Sequence, residues 1–466
     1  MTFGLFSLRS SFFLGVLVSI GFRWAPFTAM LGAVEFPLRV SESGRYLEDQ
    51  KKDPFLWVGD SPWGLFLQND ATLKRYFDDR SRQGFTVLQT QMLPESGTGK
   101  FTNGLEPFGI PGNFATPNDR FFDRVAGIIR YAGNLGMLVV VNPVWLGCCD
   151  GGWREVVKAN GAGKNLEFGR YLGRKFRRLE NILWLHGGDT DPRPWMDEVR
   201  SIAEGIRETA PTHRLHAVHC GSTIPSRELL TKERWLTVNL TVASSPADPG
   251  VEGKSLPVLL NLKLDYEVRP TLPFVSLSPG YGQGPTPTDQ ALRRDAWQGI
   301  LSGAAGHTLG NPAMLRFSEG WETALSSPAS RAMSHLGNLL GSVRWQRLVP
   351  DFDHSWMVAG HGEIRDPTRY NGSDHASVAA DPDGVMVIAY IPSPRRISMD
   401  LSKFRLPVLA RWFDPSNGVL SDVSKEKPEL PSTGRQEFLP PGKNSAGDGD
   451  WVLVLDGRPV RRPLSR

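Results

Sequence analysis

Between residues 36 and 342, short apolar runs alternate with amphipathic stretches, and few architectures accept that rhythm. The runs are 55–59, 85–90, 137–141, 182–186, 214–219, 235–240, 256–262 and 302–308. Several are nearly all apolar, as strands covered on both faces must be. The stretches between most of them repeat with a helical period. Leu73, Tyr76 and Phe77 share one face, and Gly84 closes that helix. Thr116 can cap the next helix and Pro117 suits its first position. Phe121, Phe122, Val125, Ile128 and Ile129 form its stripe, and Gly136 ends it. Trp195, Val199, Ile202 and Ile206 mark a third helix, and a fourth starts at Thr288 with Leu292 and Ile300. Eight strands alternating with helices predict a (β/α)8 TIM barrel, an α/β fold.

The chain then changes character. A last helix, Pro328 to Gly341, places Met333, Leu336, Leu339 and Leu340 on one face. Beyond Val349-Pro350 come strand-like runs at 385–391, 397–401, 408–413 and 451–455. Turn chemistry separates them, as in Asp381-Pro-Asp-Gly384 and Asp414-Pro-Ser-Asn-Gly418. They predict a small all-β sandwich, with 427–449 as a loose loop in it. The expected domains are a barrel over 34–345 and a sandwich over 346–466.

At the start, Arg9 precedes an apolar run from Phe12 to Phe22, and small residues follow at Ala29 and Gly32-Ala33. The run is too short for the ~20 residues that span a bilayer, and it reads as a signal peptide over 1–33. The expected location is secreted or periplasmic. Arg23 directly after the run makes an uncleaved signal anchor the alternative. With 53 basic and 49 acidic residues the net charge is +4, which gives no case for a nucleic-acid partner. Cys148, Cys149 and Cys220 are an odd number with a vicinal pair, so they read as buried small hydrophobes and not as a disulfide framework. The oligomeric state is left open.

Polar groups just past the C-terminal ends of barrel strands face the pocket where chemistry occurs. Asn181-Ile-Leu-Trp-Leu-His-Gly-Gly-Asp189 is such a place: a buried strand, two glycines that permit a sharp turn, then a carboxylate. Asp189 is a candidate proton donor. Glycoside hydrolysis usually needs a second carboxyl group across the bond, and after the expected strand seven, 256–262, Asp265 or Glu267 could supply it. Asp60 and Trp63 after strand one, Gln89, Gln91 and Glu95 after strand two, and Asn142 and Trp145 after strand three recur where a carbohydrate pocket would need them. Asp60 could equally cap the following turn, with Trp63 packed beneath it. His307, after strand eight, is a further pocket candidate. His213, His216 and His219 are spaced by three, and on a strand that spacing reverses the face, so they do not form one metal site. Gly280-Tyr-Gly-Gln-Gly284 lacks the strand-to-helix setting of a dinucleotide fingerprint, and Gly97-Thr-Gly-Lys100 lacks the upstream glycine of a phosphate loop. No cofactor and no metal are expected.

These segments, taken in order, resemble the apiosidase-like glycoside hydrolases of family 140 and their relatives. The carriers are Gly59-Asp-Ser-Pro-Trp63, residues 89–95, Pro117-Asn118 with Phe121-Phe122, Ile182 to Asp189, Leu301 to Asn311, and Ala410 to Gly418. The resemblance spans nearly all of 36–465 and implies a (β/α)8 barrel followed by a β-sandwich. In that family the sandwich carries a collagen-binding label, which nothing in residues 350–466 supports. The family acid follows strand four and matches Asp189. After strand seven the family reads Glu-Pro-x-Tyr-Glu, and its first glutamate is the nucleophile candidate. Aligned on Tyr266-Glu267, that position is Lys263 and the proline is Leu264, so only Glu267 remains. Thr241 to Ser245, after strand six, departs as well. The resemblance implies a glycoside hydrolase with Asp189 as acid/base; with the signal peptide the reading is an exported hydrolase of plant or microbial polysaccharide, in which Glu267 is the remaining candidate for the second carboxylate. Asp60, Trp63, Gln91, Trp145 and His307 would shape the sugar site. Lys263 motivates the alternative, a barrel that binds carbohydrate without cleaving it.

Overall fold

The computed structural model describes residues 34–94, 104–147, 152–220, 226–242, 258–278, 287–364, 374–427 and 429–458. Eight parallel strands close into a barrel: β1 Trp57–Asp60, β2 Val87–Gln91, β3 Leu138–Asn142, β4 Ile182–Gly187, β5 His216–His219, β6 Val238–Val242, β7 Phe274–Ser278 and β8 Gly306–Leu309. Around them lie α1 Asp70–Arg82, α2 Asp119–Asn134, α3 Arg154–Phe176, α4 Met196–Thr209, the single turn α5 Arg227–Leu230, α6 Val258–Glu267, α7 Asp289–Leu301 and α8 Pro328–Gly341. Two short strand pairings ahead of β1, joining 39–40, 47–48 and 54–55, form a small antiparallel sheet.

Local chemistry sets the helix ends. Asn69 and Thr288 cap α1 and α7 by accepting from Thr72 N–H and Ala291 N–H. Gly84 and Gly136 sit in the left-handed region just past α1 and α2, at φ of 78° and 74°. The start of α2 differs from the expected one. Asn118, not Thr116, is the cap, because its side chain reaches Arg120 N–H, and Pro117 lies outside the helix.

The largest correction concerns strand seven. Residues 258–267, within and beyond the expected strand 256–262, form helix α6, and the strand is Phe274–Ser278. Leu259 and Leu262 bury on one side of α6 beside Phe274 and Ala304, while Leu260 stays exposed, which is a helical and not a strand pattern. β7 pairs with β6 and β8 and completes the barrel.

The C-terminal part has two antiparallel sheets. Its strands are β9 Val349–Pro350, β10 Met357–Ala359, β11 Ser377–Ala380, β12 Met386–Ile391, β13 Ile397–Asp400, β14 Val408–Phe413, β15 Leu420–Asp422, β16 Glu429–Leu430, β17 Arg435–Phe438 and β18 Trp451–Asp456. The larger sheet runs β9-β11-β12-β18-β14-β15, with β16 also on β14, and the smaller runs β10-β13-β17. β16 and β17 fall inside the stretch expected to be a loop. The two sheets share a core that includes Met357, Met399, Val387, Ala389, Trp412 and Leu453. The other face of the larger sheet packs on the barrel: Ile388, Tyr390, Phe413 and Val452 meet Trp297 and Ile300 of α7 and Met333 and Leu336 of α8. Strands β12 and β18 are therefore buried on both faces, which explains their unbroken apolar sequence.

One buried ion pair crosses this junction. Arg293 of α7 donates to Asp450 through Nε (3.1 Å) and Nη2 (2.8 Å), and Nη2 also reaches Asp448 at 2.7 Å. Tyr390 OH and Asn444 Nδ2 donate to the same Asp450 carboxylate at 3.1 and 2.8 Å. Removing one partner of such a pair leaves the other charge buried and unmatched. Arg293→Leu is therefore expected to lose roughly 3–5 kcal/mol of stability, measured as a shift of the urea midpoint at constant m. A loss under ~1 kcal/mol would show that water reaches Asp450.

Candidate active site

In a barrel strand alternate side chains face the enclosed interior and the helix layer. The interior rows carry Val87, Leu138, Val140, Leu183, Leu185, Leu215, Ala217, Val238, Leu240, Val275 and Leu277. Trp57 fills the first level, its Nε1 donating to Thr308 Oγ1 at 2.8 Å. Gly59 makes room for it, since a Cβ there would lie 2.7 Å from the Trp57 Nε1 and 2.5 Å from Thr308 Oγ1. The same rows turn polar at their C-terminal ends, at Gln89, Gln91, Asn142 and His219. Trp63 and Trp145 close over them edge to face, with ring centroids 6.2 Å apart. Here five buried polar atoms have no hydrogen-bond partner among the described residues: Gln89 Oε1, Gln91 Oε1, Asn142 Oδ1, Trp145 Nε1 and His219 Nδ1. Buried polar atoms are normally paired, so such a group at a barrel mouth is suited to a polar ligand.

Asp189 stands at this mouth. Gly187 turns β4 with φ of 87°, and a Cβ there would lie 2.2 Å from the His219 carbonyl oxygen. Its own carbonyl accepts from Leu146 N–H (3.0 Å) and Asn142 Nδ2 (3.2 Å), and Gly188 N–H donates to the His219 carbonyl at 3.1 Å. The Asp189 side chain, 47% exposed, meets His219 Nε2 at 2.6 Å. His219 went unrecognised in the sequence as a partner of Asp189. The available signal was the two-residue spacing Leu215, Ala217, His219, which puts all three on the interior row.

Two of the seven site candidates face the other way. Asp60 accepts from Tyr76 OH (2.8 Å), Arg80 Nη1 (3.4 Å) and Ser61 N–H (2.9 Å), which ties β1 to α1. Burial pushes its carboxyl up against the opposing pull of Arg80 and Tyr76. His307 shares a 2.7 Å hydrogen bond with Ser276 behind the barrel, next to Gly299 of α7, and burial lowers its imidazole to about 3. His186 and His216 face outward as well. They share a 3.1 Å hydrogen bond, and burial lowers His186 to about 3. Cys220 is buried, and Glu95, Cys148 and Cys149 lie outside the described residues.

Glu267 is removed from the mouth altogether. It ends α6, is 52% exposed and sits 3.9 Å from Lys263 one turn earlier. Its neighbour Tyr266 packs on Gly303, ahead of β8, and on Phe352. That is the N-terminal end of the barrel, opposite the site. Lys263 lies 5.5 Å from the Phe352 ring, so it does not stand in a catalytic position either. Asp265 is buried outside the barrel wall, bonded to Thr241 and to Arg227 (3.2 Å). With β7 at 274–278, the segment that follows the strand reads Ser278-Pro-Gly-Tyr-Gly282 and contains no carboxylate. Ser278 is buried, and its hydroxyl donates to Asp295 of α7 at 3.0 Å. Among the described residues, β7 brings no carboxylate of its own to the mouth.

An eight-stranded parallel barrel followed by antiparallel sheets is the architecture of glycoside hydrolases in solved structures. One of them, a glycoside hydrolase, is 21% identical with a TM-score of 0.77, over 91% of this chain and 98% of that one. A glycoside hydrolase family 5 protein from Bacteroides vulgatus has the same identity and TM-score, over 90% and 93%. At that identity the likeness establishes the fold. Residues 41–347 match the apiosidase-like catalytic domain, and the chain belongs to that family. Residues 364–456 match the domain described as "Putative collagen-binding domain of a collagenase". No curated protein matches the chain by sequence. No helix among the described residues is long and apolar enough to cross a membrane.

The outward histidines carry a consequence for acid stability. Protonation favours the unfolded chain, where the ordinary value of 6.5 applies, over the fold, where His186 and His307 stay neutral down to about 3. Their contribution is complete above pH 6.5 and falls as pH drops toward 3. Each is expected to cost about 2 kcal/mol by pH 5. Urea unfolding at pH 7 and pH 5 checks this: His307→Gln should show a smaller pH dependence than wild type by about that amount. Equal pH dependence would mean that the His307 ring is solvated.

Proposed function

We propose that this protein is an exported glycoside hydrolase acting on a plant or microbial polysaccharide, with Asp189 as the proton donor. Membership of the apiosidase-like family supports the reaction class, and the apolar run Phe12–Phe22 near the start of the chain supports export. The observation that carries the site assignment is the Asp189 carboxyl, paired with His219 beside a row of buried polar atoms that have no partner among the described residues. A sugar offers hydroxyls that both donate and accept, and the row holds both kinds of atom. Trp63 and Trp145 give it apolar walls. In this reading Gln89, Gln91, Asn142 and Trp145 hold the glycon, and Asp189 protonates the leaving oxygen.

A second reading rests on β7, which among the described residues brings no carboxylate to the mouth. A carboxylate is what bears negative charge beside an oxocarbenium-like centre or forms a glycosyl ester. A barrel without that second carboxylate would bind carbohydrate without cleaving it.

Reducing-sugar release from pectic and other plant polysaccharides separates the two. The hydrolase reading expects release by wild type and a drop of roughly 10²–10⁴-fold in Asp189→Ala, the usual worth of acid catalysis. No release, together with calorimetric binding that survives Asp189→Ala, would establish the binding protein.

A further inference from the structure

The pairing of Asp189 with His219 is asymmetric, and the asymmetry is informative. His219 Nε2 meets one carboxyl oxygen, Oδ1, at 2.6 Å. The carboxyl is about half exposed, the imidazole is nearly enclosed, and its Nδ1 is buried with no partner among the described residues. The backbone beneath is doubly constrained: Gly188 N–H binds the His219 carbonyl, and Gly187 leaves no space for a Cβ against it. The two residues come from adjacent strands whose register places Gly187 opposite His219. A carboxyl on a turn of glycines has little to hold its torsions. Here one oxygen is fixed by a ring that is itself part of the barrel wall.

We propose that His219 is the positioning residue of Asp189: its Nε2 anchors Oδ1 so that the other oxygen is presented to the leaving group, while Nδ1 is left for a hydroxyl of the bound sugar. The proposal rests on the hydrolase reading above and adds to it the residue that orients the acid. When Asp189 is ionised, Nε2 carries the proton and donates. When Asp189 holds the proton for transfer on Oδ2, Nε2 still donates to Oδ1. The Nδ1 position is then left for a sugar hydroxyl, which can both donate and accept. The site then couples ligand binding to the orientation of its acid.

The test uses leaving groups. Proton donation matters for a poor leaving group and little for one that departs as a stable anion. The probes are matched phenyl and 2,4-dinitrophenyl glycosides of neutral hexoses and pentoses. His219→Ala is expected to lower kcat about 10–100-fold on the phenyl glycoside and less than ~3-fold on the dinitrophenyl one. Asp189→Ala should repeat the pattern more strongly. His219→Gln, whose amide N–H can reach the place of Nε2, should recover part of the loss. Equal losses on both substrates, or none, would overturn the proposal, since a merely structural defect does not distinguish leaving groups. Should wild type cleave no glycoside at all, the hydrolase reading fails on its own, and nitrogen-15 spectra of the labelled histidines decide the anchoring. A His219 Nε2 resonance that moves in Asp189→Asn keeps the pair, and one indifferent to that change removes it.

Discussion

A side chain on a strand of a closed barrel has two destinations, the enclosed interior or the helix layer, and neighbouring residues take opposite ones. Much of what this molecule presents to a ligand follows from that alternation. Leu138, Val140 and Asn142 lie on one row, so an apolar plug below becomes a polar mouth above without any change of direction. The same holds for Leu215, Ala217 and His219. Asp60 and His307 lie on the opposite rows, and each is committed to the helices behind it. A polar residue at a strand end thus belongs to the site or to the scaffold according to its parity.

α7 faces two ways: Asp295 and Gly299 meet Ser278 and Ser276 on the barrel, while Arg293 and Trp297 meet Asp450 and Tyr390 on the sandwich. The Trp297 and Tyr390 rings stack with an interplanar angle of 7°. Because the larger sheet is covered by barrel helices on one side and the smaller sheet on the other, barrel and sandwich share apolar surface. Helix α7 thus touches both β7 and the sandwich.

Much of this was legible in the chain. β1 to β6 fall where apolar runs announced them, and the Gly-Gly-Asp after β4 is the turn that the glycines required. Strand seven was not legible, for a physical reason. Residues 256–262 are a short apolar run, and such a run suits a buried helix as well as a strand. The true strand, Phe-Val-Ser-Leu-Ser, looks half polar. Its serines are silent in sequence terms because His307 and Asp295, distant along the chain, satisfy them in the helix layer. Misplacing the strand carried the second carboxylate with it, from the mouth of the barrel to the opposite end at Glu267. Asp189 stands at the mouth because its strand was unambiguous.

By itself the sequence determined most of the periodic elements, the alternation of strands and helices through the first six barrel strands, the change to an all-β region and the resemblance to a family, since these depend on local pattern and spacing. Tertiary structure decided which polar groups meet. The pairing of Asp189 with His219, the convergence of Gln89, Gln91, Asn142 and Trp145, and the withdrawal of Asp60 and His307 depend on strand register and parity around a closed ring. A ring closes only when all eight strands are in place, so no single segment contains that information.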